Sequence, residues 1–200
     1  MPKKIDHEER KEKILSTALK VFSQYGYKES NLSLIAEKSG ISRPTIYQYF
    51  HDKNEIFYFA VKSVTGRMFS RYSMMAWDES IGDEIDRLEA IISDVIDTAK
   101  ANEDALINLM DVMIAVRKED GDLSDVIFRR TAKLTILLKR LIVKGINSGV
   151  IKQCDHDDIA DYIFITLESF CFQIAFFRVF DKQEAMAFIR SYLDLYRVRT

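Results

Sequence analysis

A length of 200 residues, 48% of them hydrophobic, is enough to bury a core in one domain of ordinary size or in a small and a larger one. Two isolated cysteines and three histidines on polar segments argue against a disulfide framework or a zinc motif, so we expect no metal and no cofactor. The net charge of −2 hides an asymmetry, because residues 1–64 carry eleven Lys and Arg against eight Asp and Glu, whereas the remainder carries eighteen against twenty-three. The amino-terminal third is therefore the part suited to a polyanion.

Glycine and proline are scarce, with seven and two residues, while Leu, Ile, Ala, Lys and Glu recur at helical spacing. This composition predicts an all-α fold, and the helices predicted below from apolar spacing and caps number about nine. The amino terminus lacks the apolar core of a signal peptide, and no apolar run approaches the ~20 residues that span a bilayer. The most hydrophobic stretch, residues 159–177, is interrupted by Asp161 and Glu168. We therefore expect a cytoplasmic protein without a membrane partner.

Residues 7–25 are predicted to form the first helix. Its apolar side chains make one stripe, formed by Ile14, Leu15, Ala18, Leu19 and Phe22. A shorter helix from Leu32 stops before Gly40, a residue that can adopt the left-handed conformation of a C-terminal cap. Ser42 then caps a third helix, in whose first turn Pro44 is tolerated because the N–H that it lacks would have no partner there. Two short helices joined at a glycine indicate a helix-turn-helix, whose second helix can lie in the major groove of DNA.

Asp52 and Glu55 have the spacing of a capping box and predict the start of a long helix that links the two halves of the chain. Apolar spacing then predicts helices near residues 81–100, 103–117, 123–147, 157–180 and 183–196.

The predicted helix over residues 157–180 is apolar around most of its circumference, so a single core cannot cover both of its faces. A second copy of the chain is the most economical cover, because a two-fold arrangement buries the same patch on both subunits. A palindromic DNA site also requires two recognition helices. We therefore expect a homodimer that associates through the last two helices, about residues 157–197.

The motifs of the amino-terminal region together match a known pattern. They comprise residues 14–22, 26–27, 32–36, 40–42, 45–47, 49–50 and Lys53. Over about the first 60 residues the chain resembles the TetR family of transcriptional regulators. The resemblance implies a DNA-binding domain over residues 1–64 and a ligand-binding and dimerisation domain over residues 65–200. It also implies a repressor that binds a palindromic operator and is released by a small-molecule effector.

By the same resemblance, Arg43, Pro44 and Thr45 are expected to contact base edges, while Tyr47 and Lys53 contact phosphates. Their chemistry agrees, since arginine can bond a guanine edge in bidentate fashion and a proline ring or threonine methyl can contact a thymine methyl. The other expected DNA contacts are Asn31 and Ser33 at the start of the preceding helix, the cap Ser42, and Tyr49, whose hydroxyl can bond a phosphate oxygen. The alternatives are that Tyr47 and Tyr49 pack against the first helix and that Arg43 contacts only phosphate.

A ligand pocket is expected inside the second domain, among apolar and aromatic side chains with few polar anchors. The candidates are Met74, Trp77, Leu109, Met113, Phe128, Phe164, Glu168 and Phe172. The alternative for the apolar members is that they are ordinary core. Glu168 lies within an apolar run, where a buried carboxylate is costly unless it is paired. It is expected either to bond within the bundle or across the dimer, or to anchor a polar or cationic group of an effector.

Two other classes of function compete with a DNA-binding regulator. An enzyme is disfavoured because the sequence lacks a nucleophile elbow, a phosphate-binding glycine loop, a metal motif and a Ser/His/Asp arrangement. A helical dimeric protein-interaction module, or a small-molecule-binding protein without DNA readout, would not need Arg43, Tyr47 and Lys53 on one exposed surface.

Overall fold

The computed structural model describes residues 7–118, 124–177 and 179–199. Within these ranges the chain forms nine α-helices and a short 3-10 helix at Glu79–Ile81. The α-helices are α1 (His7–Tyr25), α2 (Leu32–Ser39), α3 (Arg43–Tyr47), α4 (Lys53–Trp77), α5 (Glu84–Ala101), α6 (Glu103–Lys118), α7 (Ser124–Ser148), α8 (His156–Phe176) and α9 (Lys182–Asp194). The predicted all-α fold is confirmed, and β-pairing in the described ranges is limited to an isolated bridge between Ile151 and Arg197.

The chain divides into two compact units. The amino-terminal unit comprises residues 1–67 and 107–127, and the bundle unit comprises residues 68–106 and 128–200. Helix α4 contributes its first part to one unit and its last part to the other. The functional division into residues 1–64 and 65–200 stays a prediction.

The core of the amino-terminal unit forms between α1, α2 and the start of α4. Its fully buried side chains include Ile14, Ala18, Phe22, Ile35, Ala36, Ile46, Phe50 and Ile56. Helix α3 supplies one buried residue, Ile46, to this core. Because α3 has five residues, its position depends on this anchor and on its caps rather than on its own helix propensity.

The predicted turn between α2 and α3 is present in the structure. Gly40 has φ +70° and ψ 34°, the left-handed conformation, and its N–H donates to carbonyls of the last turn of α2. Ser42 is the N-cap of α3 and Pro44 lies in its first turn. At the start of α4 the capping differs slightly from expectation, because the Glu55 carboxylate accepts the N–H of His51 at 2.7 Å while Asp52 caps the Glu55 N–H at 2.8 Å.

Replacing Gly40 by alanine is expected to destabilise the protein by about 1 kcal/mol, because a Cβ is disfavoured at positive φ. The added methyl would have no atom within 4 Å, so the backbone conformation alone accounts for the cost. Gly66→Ala is the matched control, since it lies inside α4 and also has open space around its Cβ. There alanine should stabilise by up to about 1 kcal/mol. Urea unfolding of both variants checks the opposite signs, and equal shifts would contradict them.

The core of the bundle unit lies between α5, α7, α8 and α9, with Tyr72 and Ala76 of α4. Its buried aliphatic residues include Ile85, Leu88, Ile92, Leu138, Leu141, Ile163 and Ile189. The prediction that one helix covers residues 157–180 was wrong at its end, because α8 stops at Phe176 and Phe177 has an extended backbone. Asp181 accepts the N–H groups of Gln183 and Glu184 and so starts α9.

A buried ion pair lies where α5 begins. Glu84 and Arg87 are 4% and 3% exposed, and the Arg87 guanidinium donates to Glu84 Oε1 at 2.9 Å. Arg87 also donates to the carbonyls of Asp83 and Ala76, and Ser148 of α7 donates to Glu84 Oε2 at 3.0 Å. The pair therefore connects the ends of three helices. Nothing in the sequence pattern marked these two charges as buried.

Candidate nucleic-acid interface

The exposed surface of α3 is set by the burial of one residue. Ile46 is 0% exposed, whereas Arg43 and Pro44 are exposed and Tyr47 is 56% exposed. Burial of Ile46 orients the short helix so that these three side chains face solvent. The alternative that Tyr47 packs against the first helix is therefore disfavoured. An arginine, a proline ring and a tyrosine on one exposed helix surface match what major-groove readout requires.

Two of the other predicted contacts are engaged as caps. The Asn31 side chain accepts the N–H of Leu34 at 3.0 Å. Ser42 Oγ accepts the N–H of Thr45 at 3.3 Å and lies 2.8 Å from the Thr45 hydroxyl. These bonds fix the first turns of α2 and α3, whose amide groups favour an anion. Ser33, in the first turn of α2, is half-buried.

Tyr49 and Lys53 are also held by protein groups. The Tyr49 hydroxyl lies 2.9 Å from Nδ1 of His7, and its ring is half-buried. The Lys53 ammonium donates to the carbonyls of Tyr27 and Lys28 at 3.1 and 3.2 Å. An ammonium has three N–H donors, so one N–H of Lys53 remains for a phosphate oxygen. Lys53 thus also fixes the connector between α1 and α2, a role that its position in the sequence did not indicate.

Tyr27 joins this arrangement and was not among the predicted contacts. Its ring is buried, lies 4.5 Å below the Lys53 ammonium and packs against Phe22 and Phe57. Its hydroxyl donates to the side chain of Asn54. Tyr27 therefore connects the hydrophobic core to the polar start of α4. An aromatic residue directly after a glycine was the only available signal.

The predicted pocket residues fall in both units. Leu109 and Met113 belong to the amino-terminal unit, where Leu109 packs against the core. The side chain of Phe128 lies outside the described residues. In the bundle unit Met74 is 68% exposed and Phe164 is half-buried, while Trp77 lines a groove beside α7. Their joint assignment to one ligand pocket stays a prediction.

Helix α8 has one buried and one exposed apolar face. The exposed apolar face of α8 is formed by Ile165, Phe172 and Phe176, which are 64%, 50% and 52% exposed. Glu168 is exposed on the same side, and partial desolvation there raises the pKa of its carboxyl. The structure therefore places Glu168 on the surface of the unit rather than inside its core.

The hydropathy of α8 differs from what the sequence analysis predicted. By length and composition α8 is apolar enough to cross a membrane, with a mean hydropathy of 1.4 over 18 residues, although the sequence predicted no such run. Only 39% of that stretch is buried within the chain. A core helix of a soluble protein passes the same test, so the feature is weak support for a membrane span.

Comparisons with known proteins identify transcriptional regulators as similar to this chain. The sequence pattern described as "Bacterial regulatory proteins, tetR family" matches residues 14–58, which include α2, α3 and the start of α4. The chain is similar to the HTH-type transcriptional regulator YhgD of Bacillus subtilis, which has no characterised function, with 25% identity over 155 residues and 74% of each chain covered.

Solved structures extend the likeness in fold to nearly the whole chain. A TetR transcription regulator of Haloarcula marismortui superimposes with a TM-score of 0.83 at 16% identity, covering 96% of this chain and all of that one. FadR of Bacillus subtilis, crystallised in complex with stearoyl-CoA, superimposes with a TM-score of 0.73 at 24% identity, covering 92% and 95% of the two chains.

Proposed function

The chain belongs to the TetR family of transcriptional regulators, and from this premise we propose that it is a non-enzymatic, cytoplasmic repressor. It binds a palindromic DNA operator as a homodimer and is released by a small-molecule effector. The observation that carries the proposal is the exposed surface of α3, where Arg43, Pro44 and Tyr47 face solvent over the buried anchor Ile46.

Base readout is assigned to Arg43, Pro44 and Thr45, and phosphate contact to Tyr47 and to the remaining N–H of Lys53. The capped starts of α2 and α3, with Asn31, Ser33 and Ser42, add amide groups that favour phosphate. Tyr49 contributes its hydroxyl from a half-buried position beside His7. The excess of positive charge in residues 1–64 supports the same surface.

The homodimer is assigned to the exposed apolar face of α8, together with α9. Phe188 and Leu195, in and just after α9, are also exposed apolar residues. Large apolar side chains grouped on two neighbouring helices are typical of a surface that a second subunit covers. A two-fold dimer supplies two copies of α3, which must lie about 34 Å apart to enter successive major grooves.

The effector is a small molecule that binds outside the DNA surface. It can release DNA only to the extent that it prefers the conformation that does not bind DNA, so the coupling is reciprocal and measurable. Stearoyl-CoA is the first compound to test, because the FadR structure named above contains it. Loss of effector response in a folded Glu168→Gln variant would assign that carboxylate to effector binding, and an unchanged effector affinity would end that assignment.

Binding to DNA from the upstream region of its own gene tests the proposal directly. Fluorescence anisotropy at several salt concentrations should show sequence-preferring binding by two chains per site, with a slope of about −0.9 per phosphate neutralised. Arg43→Ala should weaken specific binding by about 10- to 100-fold, because a lost bidentate contact costs roughly 1–3 kcal/mol. Lys20→Ala on α1 removes one exposed charge elsewhere and is the matched control, expected to change the affinity far less.

The result of this DNA-binding experiment distinguishes a DNA-binding regulator from the competing classes of function. Equal DNA affinities for Arg43→Ala and Lys20→Ala would show that α3 does not read DNA. Sequence-independent binding that also survives the loss of Arg43, Tyr47 and Lys53 together would favour a helical interaction module or a ligand-binding protein instead.

A further inference from the structure

A groove of about 500 Å³ lies along α7 in the bundle unit. Its apolar surface comes from Ile136 and Val143 of α7 and from Trp77, the last residue of α4. The indole of Trp77 is 47% exposed and Ile136 is 50% exposed. The opposite side of α7, with Leu138 and Leu141, is buried in the core. The groove is thus a separate surface feature and not an extension of that core.

Three cations of α7, Lys139, Arg140 and Lys144, line the same groove. Lys139 lies 3.0 Å from the Asp157 carboxylate, and the hydrogen bond to this carboxylate raises the pKa of the Lys139 ammonium. Lys144 lies 3.3 Å from Glu79. Salt bridges therefore hold the two lysines toward neighbouring elements, one toward α8 and one toward the 3-10 helix.

Arg140 is exposed and lies in the sequence between these two anchored lysines. A guanidinium offers five N–H donors in a planar fork that matches a carboxylate, sulfonate or phosphate. No carboxylate is among the residues that line the groove within the described part of the chain. The carboxylates that pair with Lys139 and Lys144 lie outside this lining, so an anion in the groove would meet the Arg140 guanidinium, with an aromatic ring nearby.

The Trp77 ring is itself held beside a charge. The Lys144 ammonium lies 5.5 Å from the centroid of the indole, within the range of a cation–π contact. This contact orders the ring next to the cationic surface. An apolar body could lie against the indole while its anionic group reaches Arg140.

We propose that this groove binds a small amphipathic anion, whose apolar body packs on Trp77, Ile136 and Val143 and whose charged group bonds Arg140. The volume lies within the range of ~300–1,000 Å³ that is typical of small-molecule sites, which argues for a small ligand and against a macromolecule. The inference goes beyond the proposed function, because the groove shares no residue with the DNA surface or with the exposed apolar face of α8, and of the residues expected in the effector pocket it contains only Trp77. The groove residue that α8 contributes is His156, which precedes Ile165 by nine residues, or about 14 Å along the helix.

The fluorescence of Trp77 can report binding directly, because Trp77 is the only tryptophan in the chain. Titration with 1-anilinonaphthalene-8-sulfonate, an aromatic anion, should quench Trp77 emission in a saturable way. N-phenyl-1-naphthylamine, the same ring system without the sulfonate, should bind at least about tenfold more weakly, because it cannot form the charge-assisted bonds. Neither measurement requires DNA, so the result stands apart from that of the operator-binding experiment.

Variants of Arg140 locate the anion. Arg140→Gln should weaken binding of the sulfonate at least about tenfold, and Arg140→Lys should recover part of that loss because it keeps the charge. Lys100→Gln, an exposed cation of α5 outside the groove, is the matched control and should leave the dissociation constant unchanged. Because Arg140 is exposed, its variants should remain folded, and circular dichroism checks this. Equal dissociation constants for Arg140→Gln and Lys100→Gln, or equal binding of the two probes, would overturn the proposal.

Discussion

Glu84→Ala is expected to destabilise the protein by about 3–5 kcal/mol, because it leaves the buried Arg87 guanidinium without its carboxylate. The variant also removes the hydrogen bond from the Ser148 hydroxyl to Glu84, which joins the end of α7 to the start of α5. For a chain of this length the melting temperature should fall by about 10 °C or more. Urea and thermal unfolding measure both quantities.

Glu89→Ala is the control, because Glu89 lies on the same helix and pairs with Arg190, which is 60% exposed. An exposed pair contributes about 0–1 kcal/mol, so this variant should unfold almost like the parent. Replacing both Glu84 and Arg87 by methionine should recover most of the stability, since the penalty comes from an unpaired charge rather than from a missing attraction. A Glu84→Ala variant as stable as Glu89→Ala would show that the pair is not buried in solution.

The double variant Phe172→Asp and Phe176→Asp is expected to dissociate the proposed homodimer. Each subunit would place two carboxylates on the exposed apolar face of α8, where the dimer requires apolar contact. Each ring is about half exposed in the single chain, so its burial contributes roughly 1 kcal/mol; four rings per dimer contribute about 4 kcal/mol, and the dissociation constant should rise about thousandfold. Analytical ultracentrifugation over a concentration series measures this constant.

The monomer that results should remain folded, because both side chains are about half exposed within a single chain. It should also bind the operator weakly, since one α3 then replaces two. Met74→Asp introduces one carboxylate at another exposed apolar position of the bundle unit and should leave the dimer intact. An unchanged dimer in the double variant would place the subunit interface elsewhere.

Local signals in the sequence were sufficient to predict the helices and the turn of the helix-turn-helix. Gly40 has the left-handed φ that was predicted for it, and Ser42 caps α3 as expected, because caps and turns depend on residues within one helical turn. The spacing of apolar residues likewise gave α1, α5 and α6 with bounds close to those observed. The prediction failed at the end of α8, where apolar residues continue to Phe180 while the helix stops at Phe176.

By itself, then, the sequence determined the all-α fold, the helix-turn-helix and the residues that α3 carries, since these follow from periodicity and local capping. The tertiary structure decided which side chains remain available. It showed that Lys53 is bound to two carbonyls of the α1–α2 connector, that Leu109 packs into the amino-terminal core, and that Glu84 and Arg87 are a buried pair. These contacts join residues distant in sequence, or depend on burial beneath distant elements, and no local pattern encodes which distant group will cover a given side chain.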